Sequence, residues 1–144
     1  MKIYVLGSNA FMKEMVEYKD KLCELGHDGW IHPTYEALVR GDMPDYIDRL
    51  SKKEERAAIK RENNYLKVHY KHILESDAIL IVNLEKNGIE NYIGGNVLIE
   101  MGQAYVNNKK IFLLNSIPTE VSYTDKIEAM DPICLNGDLD NITQ

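Results

Sequence analysis

The sequence contains little cysteine: Cys23 and Cys134 are the only two among its 144 residues. Their separation fits neither a set of metal ligands nor a redox pair. Cys23 lies in a helical pattern and Cys134 lies in a short strand-like run. We therefore expect two buried, reduced thiols and a cytoplasmic protein.

The sequence also lacks a long apolar run and a leader segment. No run approaches the roughly 18–20 residues that a membrane span needs, and Met1-Lys2-Ile3 leads at once into a strand-like segment rather than a signal peptide. Positive charge is not in excess either, since the net charge is −6. These absences argue against a membrane or a nucleic-acid polymer as partner, whereas small phosphorylated ligands remain open because backbone amides can bind them.

Repeats, low-complexity segments and the standard phosphate-binding motifs are missing. Gly7-Ser8 forms a turn with one glycine, without Gly-x-Gly-x-x-Gly and without a Walker lysine. Hydrophobic residues make up 44% and charged residues 28% of the chain, which is ordinary for a globular protein. The length predicts one domain that spans residues 1–144.

What the sequence does contain is a strand–loop–helix–strand unit in its second half. The apolar run Ala78–Leu84 precedes a polar loop, a Gly94-Gly95 turn, a helix predicted over Asn96–Asn107 and a second apolar run, Ile111–Leu114. The length fits a parallel βαβ crossover. Its loop leaves the carboxyl end of a strand, where open α/β sheets bind ligands, and glycines there let backbone N–H groups approach an anion.

The predicted helix carries one charged side chain, Glu100. At 100° per residue its polar residues fall in a narrow arc, and apolar side chains cover the rest of the circumference. Two interpretations remain open: the arc faces water, or Glu100 points into a cleft one turn beyond the glycines. The arc consists of Asn96, Glu100, Gln103 and Asn107.

Five strand-like runs alternate with helical patterns, which predicts an α/β fold: a doubly wound, flavodoxin- or Rossmann-like parallel sheet with helices on both faces. Right-handed crossovers favour the strand order 2-1-3-4-5. The Gly7-Ser8 turn and the Gly94-Gly95 turn would then lie near each other at one edge, which predicts a ligand cleft. The runs are Ile3–Leu6, Gly29–His32, Ala78–Leu84, Ile111–Leu114 and Pro132–Leu135.

The connection between the second and third strands allows several interpretations. Pro44–Arg56 is the most charged segment, and we expect it to be exposed and mobile, either as a solvated connector or as a lid over a site. A long helix is predicted to follow as far as Glu75. Its predicted buried positions include Ile59, Leu66, Ile73 and Leu74.

Four histidines offer little evidence for a metal site. His69 and His72 are three residues apart on the predicted helix and could reach one metal ion, but no carboxylate or cysteine has a matching spacing. We therefore expect no metal. His27 and His32 flank the second strand and are as readily surface residues.

Three segments together resemble the nucleoside 2-deoxyribosyltransferase family, whose relatives include nucleoside 5′-monophosphate N-glycosidases. These segments are Ile3–Gly7, Asp77–Ile81 and Glu100–Tyr105, the last followed by Lys109-Lys110-Ile111. Their order and spacing match over most of the chain, from Ile3 to about Leu114. The Glu-x-Gly-x-Ala helix before a basic residue and a strand is the most specific part.

The resemblance implies an N-glycosyl transferase or hydrolase of nucleotide metabolism, acting on (deoxy)nucleosides or their 5′-monophosphates. Glu100 would be the nucleophile that forms a covalent glycosyl-enzyme, and Asp77 would assist near the base. Tyr4 would lie near the sugar, and Gly7 and Ser8 would form the first ligand loop. That chemistry needs no cofactor, and the resemblance also implies a homo-oligomer, a dimer or larger.

The sequence departs from the family in the second loop. Gly94 replaces a sugar-contacting aspartate that is common in the deoxyribosyltransferases, and Val97 cannot offer the hydroxyl group of many relatives. Gly94-Gly95-Asn96 is closer to the loops that hold phosphate in the monophosphate N-glycosidases, which favours a nucleotide ligand. The alternative from another class is a non-catalytic nucleotide-binding sensor that uses the same cleft.

Overall fold

The computed structural model describes residues 1–143, which form a parallel sheet of five strands flanked by helices. The strands are β1 (Lys2–Gly7), β2 (Asp28–Trp30), β3 (Ala78–Val82), β4 (Lys110–Leu113) and β5 (Ile133–Cys134). Their order is β2-β1-β3-β4-β5, and every pairing is parallel. The predicted flavodoxin-like α/β fold and its strand order are confirmed.

Seven α-helices connect and cover these strands within the described residues. They are α1 (Met12–Glu24), α2 (Pro33–Arg40), α3 (Pro44–Ser51), α4 (Arg56–Glu62), α5 (Tyr65–Leu74), α6 (Gly95–Val106) and α7 (Thr124–Ala129). Within residues 1–143, no helix combines the length and the apolar character that crossing a membrane requires.

The sheet is buried on both faces, so alternate residues of each strand belong to different clusters. Ile3 and Val5 of β1 pack on the face that α1 covers, with Met15 of that helix. The intervening Tyr4 packs on the opposite face with Met101 of α6. This alternation directs the Tyr4 side chain toward the helices that carry the candidate site.

The predicted long helix before Glu75 is wrong in its extent. The chain breaks between α4 and α5 at Asn63 and Asn64, where Asn64 has a φ of 49°. Asparagine tolerates this left-handed conformation better than most residues. The break changes which positions face inward: Ile59 and Ile73 are buried as predicted, whereas Leu66 and Leu74 are 44% and 41% exposed.

The segment Pro44–Arg56 is helical rather than irregular. Pro44 begins α3, and a short 3₁₀ turn, Lys53–Glu55, leads into α4. No residue of α3 is buried, which agrees with the predicted exposure. We refer to α3 and α4 together, residues 44–62, as the cap.

The two cysteines differ from the expected buried pair. Both thiols are free, but Cys23 is exposed and Cys134 is partly buried. Cys23 lies on the outer part of α1, where its Sγ donates a hydrogen bond of 3.3 Å to the carbonyl oxygen of Gly29.

Candidate functional site

The turns after β1 and β3 meet at the carboxyl edge of the sheet. β1 ends at Gly7, which pairs with Val82 at the end of β3. Ser8 follows, and its Oγ accepts hydrogen bonds from Ala10 N at 3.4 Å and from Lys86 Nζ at 3.2 Å. Because Lys86 belongs to the loop after β3, this contact joins the Gly7-Ser8 turn to that loop, which continues to the Gly94-Gly95 turn.

The glycines of these turns differ in how much space the surrounding atoms leave for a side chain. A Cβ on Gly7 would lie 2.9 Å from Met15 Sδ and 3.0 Å from the Val82 carbonyl oxygen, so packing excludes a side chain there. A Cβ on Gly94 would meet the hydroxyl of Tyr92 at 3.0 Å, whereas one on Gly95 would have no described atom within 4 Å apart from its chain neighbours and the backbone of its own helix. Gly95 therefore leaves the first turn of α6 open to an incoming ligand.

Lys86 is a residue that the sequence analysis missed. Its Nζ lies 4.9 Å from the centre of the Tyr92 ring, beside the start of α6. Asn96 follows Gly95 in the first turn of that helix and is partly buried. A lysine and the amino end of a helix together form an electropositive edge at this point.

A cavity of about 310 Å³ opens beside this edge and is lined by residues of α2, α3, α4 and α5. Its residues nearest the sheet are Asn9, which follows β1, and His32, which follows β2. The cap therefore forms one wall of a cavity at the carboxyl ends of two strands, where parallel sheets bind ligands. Further lining residues are Tyr35, Tyr46, Arg49, Lys60, Glu62, Tyr65 and His69.

Glu100 of α6 is buried rather than exposed to water. It is 1% exposed, and its Oε1 has no hydrogen-bond partner among residues 1–143. Burial raises the pKa of Glu100 to about 8, although the positive charge of Lys60 acts in the opposite direction. The interpretation in which this carboxyl faces water is therefore wrong: the exposed side of α6 carries Ile99, Tyr105 and Val106.

His69 lies between Glu100 and the cavity. Its Nδ1 is 3.7 Å from Glu100 Oε1 and 2.7 Å from the hydroxyl oxygen of Tyr4. Burial, together with His32 and His72, lowers the pKa of His69 to about 3. The contact with Glu100 at neutral pH therefore joins a neutral imidazole to a largely protonated carboxyl group and is not an ion pair.

Tyr4 is held in the protonated state. Burial, followed by the nearby Glu100, raises its pKa above the ordinary value. Its hydroxyl can therefore donate to Nδ1 of His69, and the imidazole then carries its own proton on Nε2. Tyr4 is thus linked to Glu100 through His69, and its place near a sugar stays a prediction.

Two further tyrosines extend this network along the cavity. The Tyr35 hydroxyl donates to Asn9 Oδ1 at 3.2 Å, and the hydroxyls of Tyr35 and Tyr65 are 3.1 Å apart. The Tyr65 ring centre lies 4.2 Å from that of His69. The sequence analysis missed these residues; their only signal is the count of nine tyrosines, which does not indicate which of them converge.

Asp77 does not join the site. It precedes β3 at the amino edge of the sheet, where its exposed carboxylate accepts a hydrogen bond of 2.8 Å from the backbone N of Lys2. Glu100 and the cavity lie toward the opposite edge. The prediction that Asp77 lies near the base is therefore corrected. A residue at the start of a strand is separated by the length of that strand from the turn at its end.

His69 and His72 lie on one helix as predicted, whereas His32 has a more interior place than a surface residue. His32 is partly buried in the cavity wall rather than at the surface, and its ring is stacked on His69 at 5.6 Å between ring centres. In the described part of the chain, no group of three or more His, Cys, Asp or Glu side chains is placed to hold a metal ion. The imidazoles instead contribute to an aromatic wall.

Comparisons of the chain with protein-family models, with curated proteins and with solved structures found no match. The likeness to the deoxyribosyltransferases therefore stays a hypothesis from the sequence. The function has to be argued from the chemistry of Glu100 and the cavity.

Proposed function

We propose that this protein is an N-glycosyl transferase or hydrolase that acts on (deoxy)nucleosides or their 5′-monophosphates. The observation that carries the proposal is the buried Glu100 carboxyl, which has no hydrogen-bond partner at Oε1 in the described chain and lies beside His69 of an aromatic cavity. Burying such a group without a partner costs free energy. A carboxyl group with a strongly raised pKa next to a cleft is typical of catalytic sites.

The reaction follows from the chemistry of a carboxylate next to a sugar. The ionised Glu100 attacks the anomeric carbon while the bond from that carbon to the base nitrogen breaks, and the bonding pair leaves with the base. The base takes up a proton as it leaves. Water or a second base then attacks the same carbon and releases Glu100, which gives hydrolysis or transfer, respectively.

The low polarity around Glu100 suits this chemistry. A transition state with positive charge on the sugar ring stabilises a neighbouring carboxylate, which favours the ionised form that burial disfavours. Tyr4 and His69 act as positioning groups, because their hydrogen bond of 2.7 Å holds the imidazole beside the carboxyl. Asp77 is left out of this mechanism because of its place at the other edge.

The cavity supports a planar base as ligand. Its volume of about 310 Å³ lies at the lower end of the range for small-molecule sites. Tyr35, Tyr46 and Tyr65, with His32, line it with rings on which a base can stack. The turns at Gly7, Ser8, Gly94, Gly95 and Asn96 would complete the ligand site at the sheet edge.

We also propose that the protein works as a homo-oligomer in the cytoplasm. Two neighbouring helices expose apolar side chains that one chain leaves uncovered: Leu66, Tyr70 and Leu74 on α5, and Ile99 and Val106 on α6. Contiguous exposed apolar surface is typical of protein interfaces. The two free thiols agree with a reducing compartment.

A specific observation favours the rival function, a nucleotide-binding sensor without catalysis. His69 lines the cavity, but Glu100 is not among the lining residues. Catalysis by Glu100 therefore requires ligand to reach past His69. A sensor would bind nucleotides in the same cavity and release no base.

The test is release of free base from a panel of ribo- and deoxynucleosides and their 5′-monophosphates, followed by chromatography. Wild type, Glu100→Gln and the exposed control Glu90→Gln are compared, each with and without a second base as acceptor. We expect release by wild type and Glu90→Gln and a loss of about a hundredfold or more in Glu100→Gln. Equal release by all three would reject Glu100 as nucleophile, and tight binding with no release by any would favour the sensor.

A further inference from the structure

Two cationic side chains line the cavity, and only one of them is paired. Arg49 forms ion pairs with Glu55 and, at 3.0 Å, with Glu62. Lys60 forms no ion pair with any carboxylate of residues 1–143. Arg49 already engages Glu62, the carboxylate that lines the cavity, so Lys60 lacks a direct ion-pair partner in the described chain, although Glu55 and Glu62 together balance the charges of Arg49 and Lys60 in number.

Lys60 is partly withdrawn from water. Its Nζ lies 5.9 Å from the ring centre of Tyr65, and burial, together with the neighbouring Arg56, lowers its pKa. Among residues 1–143, the acid that attracts Lys60 is Glu100, which is largely protonated at neutral pH because burial raises its pKa. A partly desolvated cation without a counter-ion is destabilising, and an anionic ligand group would remove that cost.

We infer that Lys60 makes the cavity selective for ligands with a phosphomonoester group, so that the nucleoside 5′-monophosphate is preferred to the free nucleoside. This inference rests on the proposed function, because it assumes that a nucleoside occupies the cavity. A phosphate dianion is the group best suited to this charge, since charge-assisted hydrogen bonds are stronger than neutral ones. Lys60 would then hold the phosphate end of the ligand.

Lys86 is the rival cation for the same phosphate. It lies at the junction of the two turns, where Ser8 and the Tyr92 ring already engage it. It is absent from the cavity lining, whereas Lys60 is part of it. A purely structural role for Lys60, as a cation near the carboxyl end of α4, is the second rival.

The experiment measures dissociation constants by calorimetry for a matched pair, a nucleoside and its 5′-monophosphate, in the Glu100→Gln background that prevents turnover. Lys60→Met, Lys60→Arg and Lys86→Met are compared with Lys53→Met, an exposed lysine of the same cap outside the cavity. We expect the dissociation constant of the monophosphate to be lower than that of the nucleoside by about tenfold or more, which is the effect of one charge-assisted contact. Lys60→Met should reduce this ratio to about threefold or less, Lys60→Arg should retain it, and Lys53→Met should not change it.

The outcomes separate this inference from the proposed function. The inference is overturned if the ratio of the two dissociation constants is unchanged in Lys60→Met or is lost only in Lys86→Met. It is also overturned if the two ligands bind with equal affinity or if neither of them binds. If Lys60→Met does not fold, as judged by its thermal unfolding, Lys60→Gln replaces it and is expected to give the same loss. Monophosphate binding that depends on Lys60, without base release by the wild type, would support the inference and reject the proposed catalysis.

Discussion

At the scale of single residues, the chemistry centres on Glu100. The polar arc and the family resemblance both single out this residue in the sequence, but neither decides whether it faces water. In the structure its carboxyl is buried against neutral His69, and burial rather than a neighbouring charge sets its pKa near 8. This has consequences for both activity and stability.

The first concerns the pH dependence of activity. If the ionised form of Glu100 attacks the sugar, its fraction in the free enzyme rises as the pH increases through about 8. We therefore expect kcat/KM for base release to increase between pH 6 and 9, with an apparent pKa near 8. A value of kcat/KM that is constant or decreases over this range would contradict the assignment.

The second concerns stability. The folded-state pKa of Glu100, about 8, lies above its ordinary value of 4.5, so between these values the folded protein holds a proton that the unfolded chain has lost. The free energy of unfolding should then decrease as the pH rises, by up to about 1.4 kcal/mol per pH unit. The window from pH 7 to 8 is the clearest, because His69, with a folded-state pKa of about 3, is largely neutral in both states there.

Glu100→Gln should remove this dependence of the free energy of unfolding on pH. It should also raise the free energy of unfolding at pH 8 by a few kcal/mol (about 1.4 kcal/mol per pKa unit). Denaturant unfolding at pH 7 and at pH 8 measures it, with Glu90→Gln as the exposed control. The same slope in wild type and Glu100→Gln would mean that Glu100 is ionised in the folded protein.

At the scale of elements, the sheet could be predicted from the sequence and the cap could not. Short apolar runs such as Ile3–Leu6 identify buried strands, and right-handed crossovers restrict their order. The turns after β1 and β3 follow from Gly7 and Gly94. The cap has no comparable signal, because its helices are short and exposed and their positions depend on contacts such as Arg49 with Glu62.

The cavity was unpredictable for the same reason. Tyr35 comes from α2, whereas Tyr65 and His69 come from α5, which begins only after the chain break at Asn64. Long-range convergence of this kind leaves no periodic pattern in a single sequence.

The tight approach of β1 to α1 gives a prediction about glycine. Gly7→Ala should destabilise the protein by about 1–3 kcal/mol, because its Cβ would overlap Met15 Sδ and the backbone oxygen of Val82. Gly102→Ala, at a helical position where a Cβ would have no described atom within 4 Å apart from its chain neighbours and its own helix backbone, should instead stabilise it by roughly 0.5–1 kcal/mol. Denaturant unfolding of the two variants tests this, and equal effects would refute the packing argument.

The cap gives a prediction about local opening. Arg49 links α3 to the 3₁₀ turn and to α4 through Glu55 and Glu62, and these exposed pairs contribute little to global stability. In Arg49→Met we expect faster amide hydrogen exchange over residues 44–62 and a nearly unchanged thermal midpoint. Lys53→Met, in the same cap, should change neither. Unaltered exchange in Arg49→Met would mean that packing alone holds the cap closed.

At the scale of the whole molecule, the proposed assembly depends on the exposed stripes of α5 and α6. Ile99→Lys places a charge in this surface and should dissociate the oligomer, as measured by sedimentation velocity at micromolar concentration. Val39→Lys, at a similarly exposed position on α2, is the control and should leave the oligomer intact. A wild-type protein that sediments as one chain would remove this part of the proposal.

The central claim is that Glu100 forms a covalent bond to the sugar during N-glycosidic cleavage. The most direct measurement is mass spectrometry of acid-quenched reactions, with peptide mapping of any sugar adduct, on the substrate that releases base fastest. We expect a pentosyl adduct on the peptide that contains Glu100 in wild type and in Glu90→Gln, and none in Glu100→Gln. Base release that continues in Glu100→Gln, or an adduct on a different residue, would contradict the account.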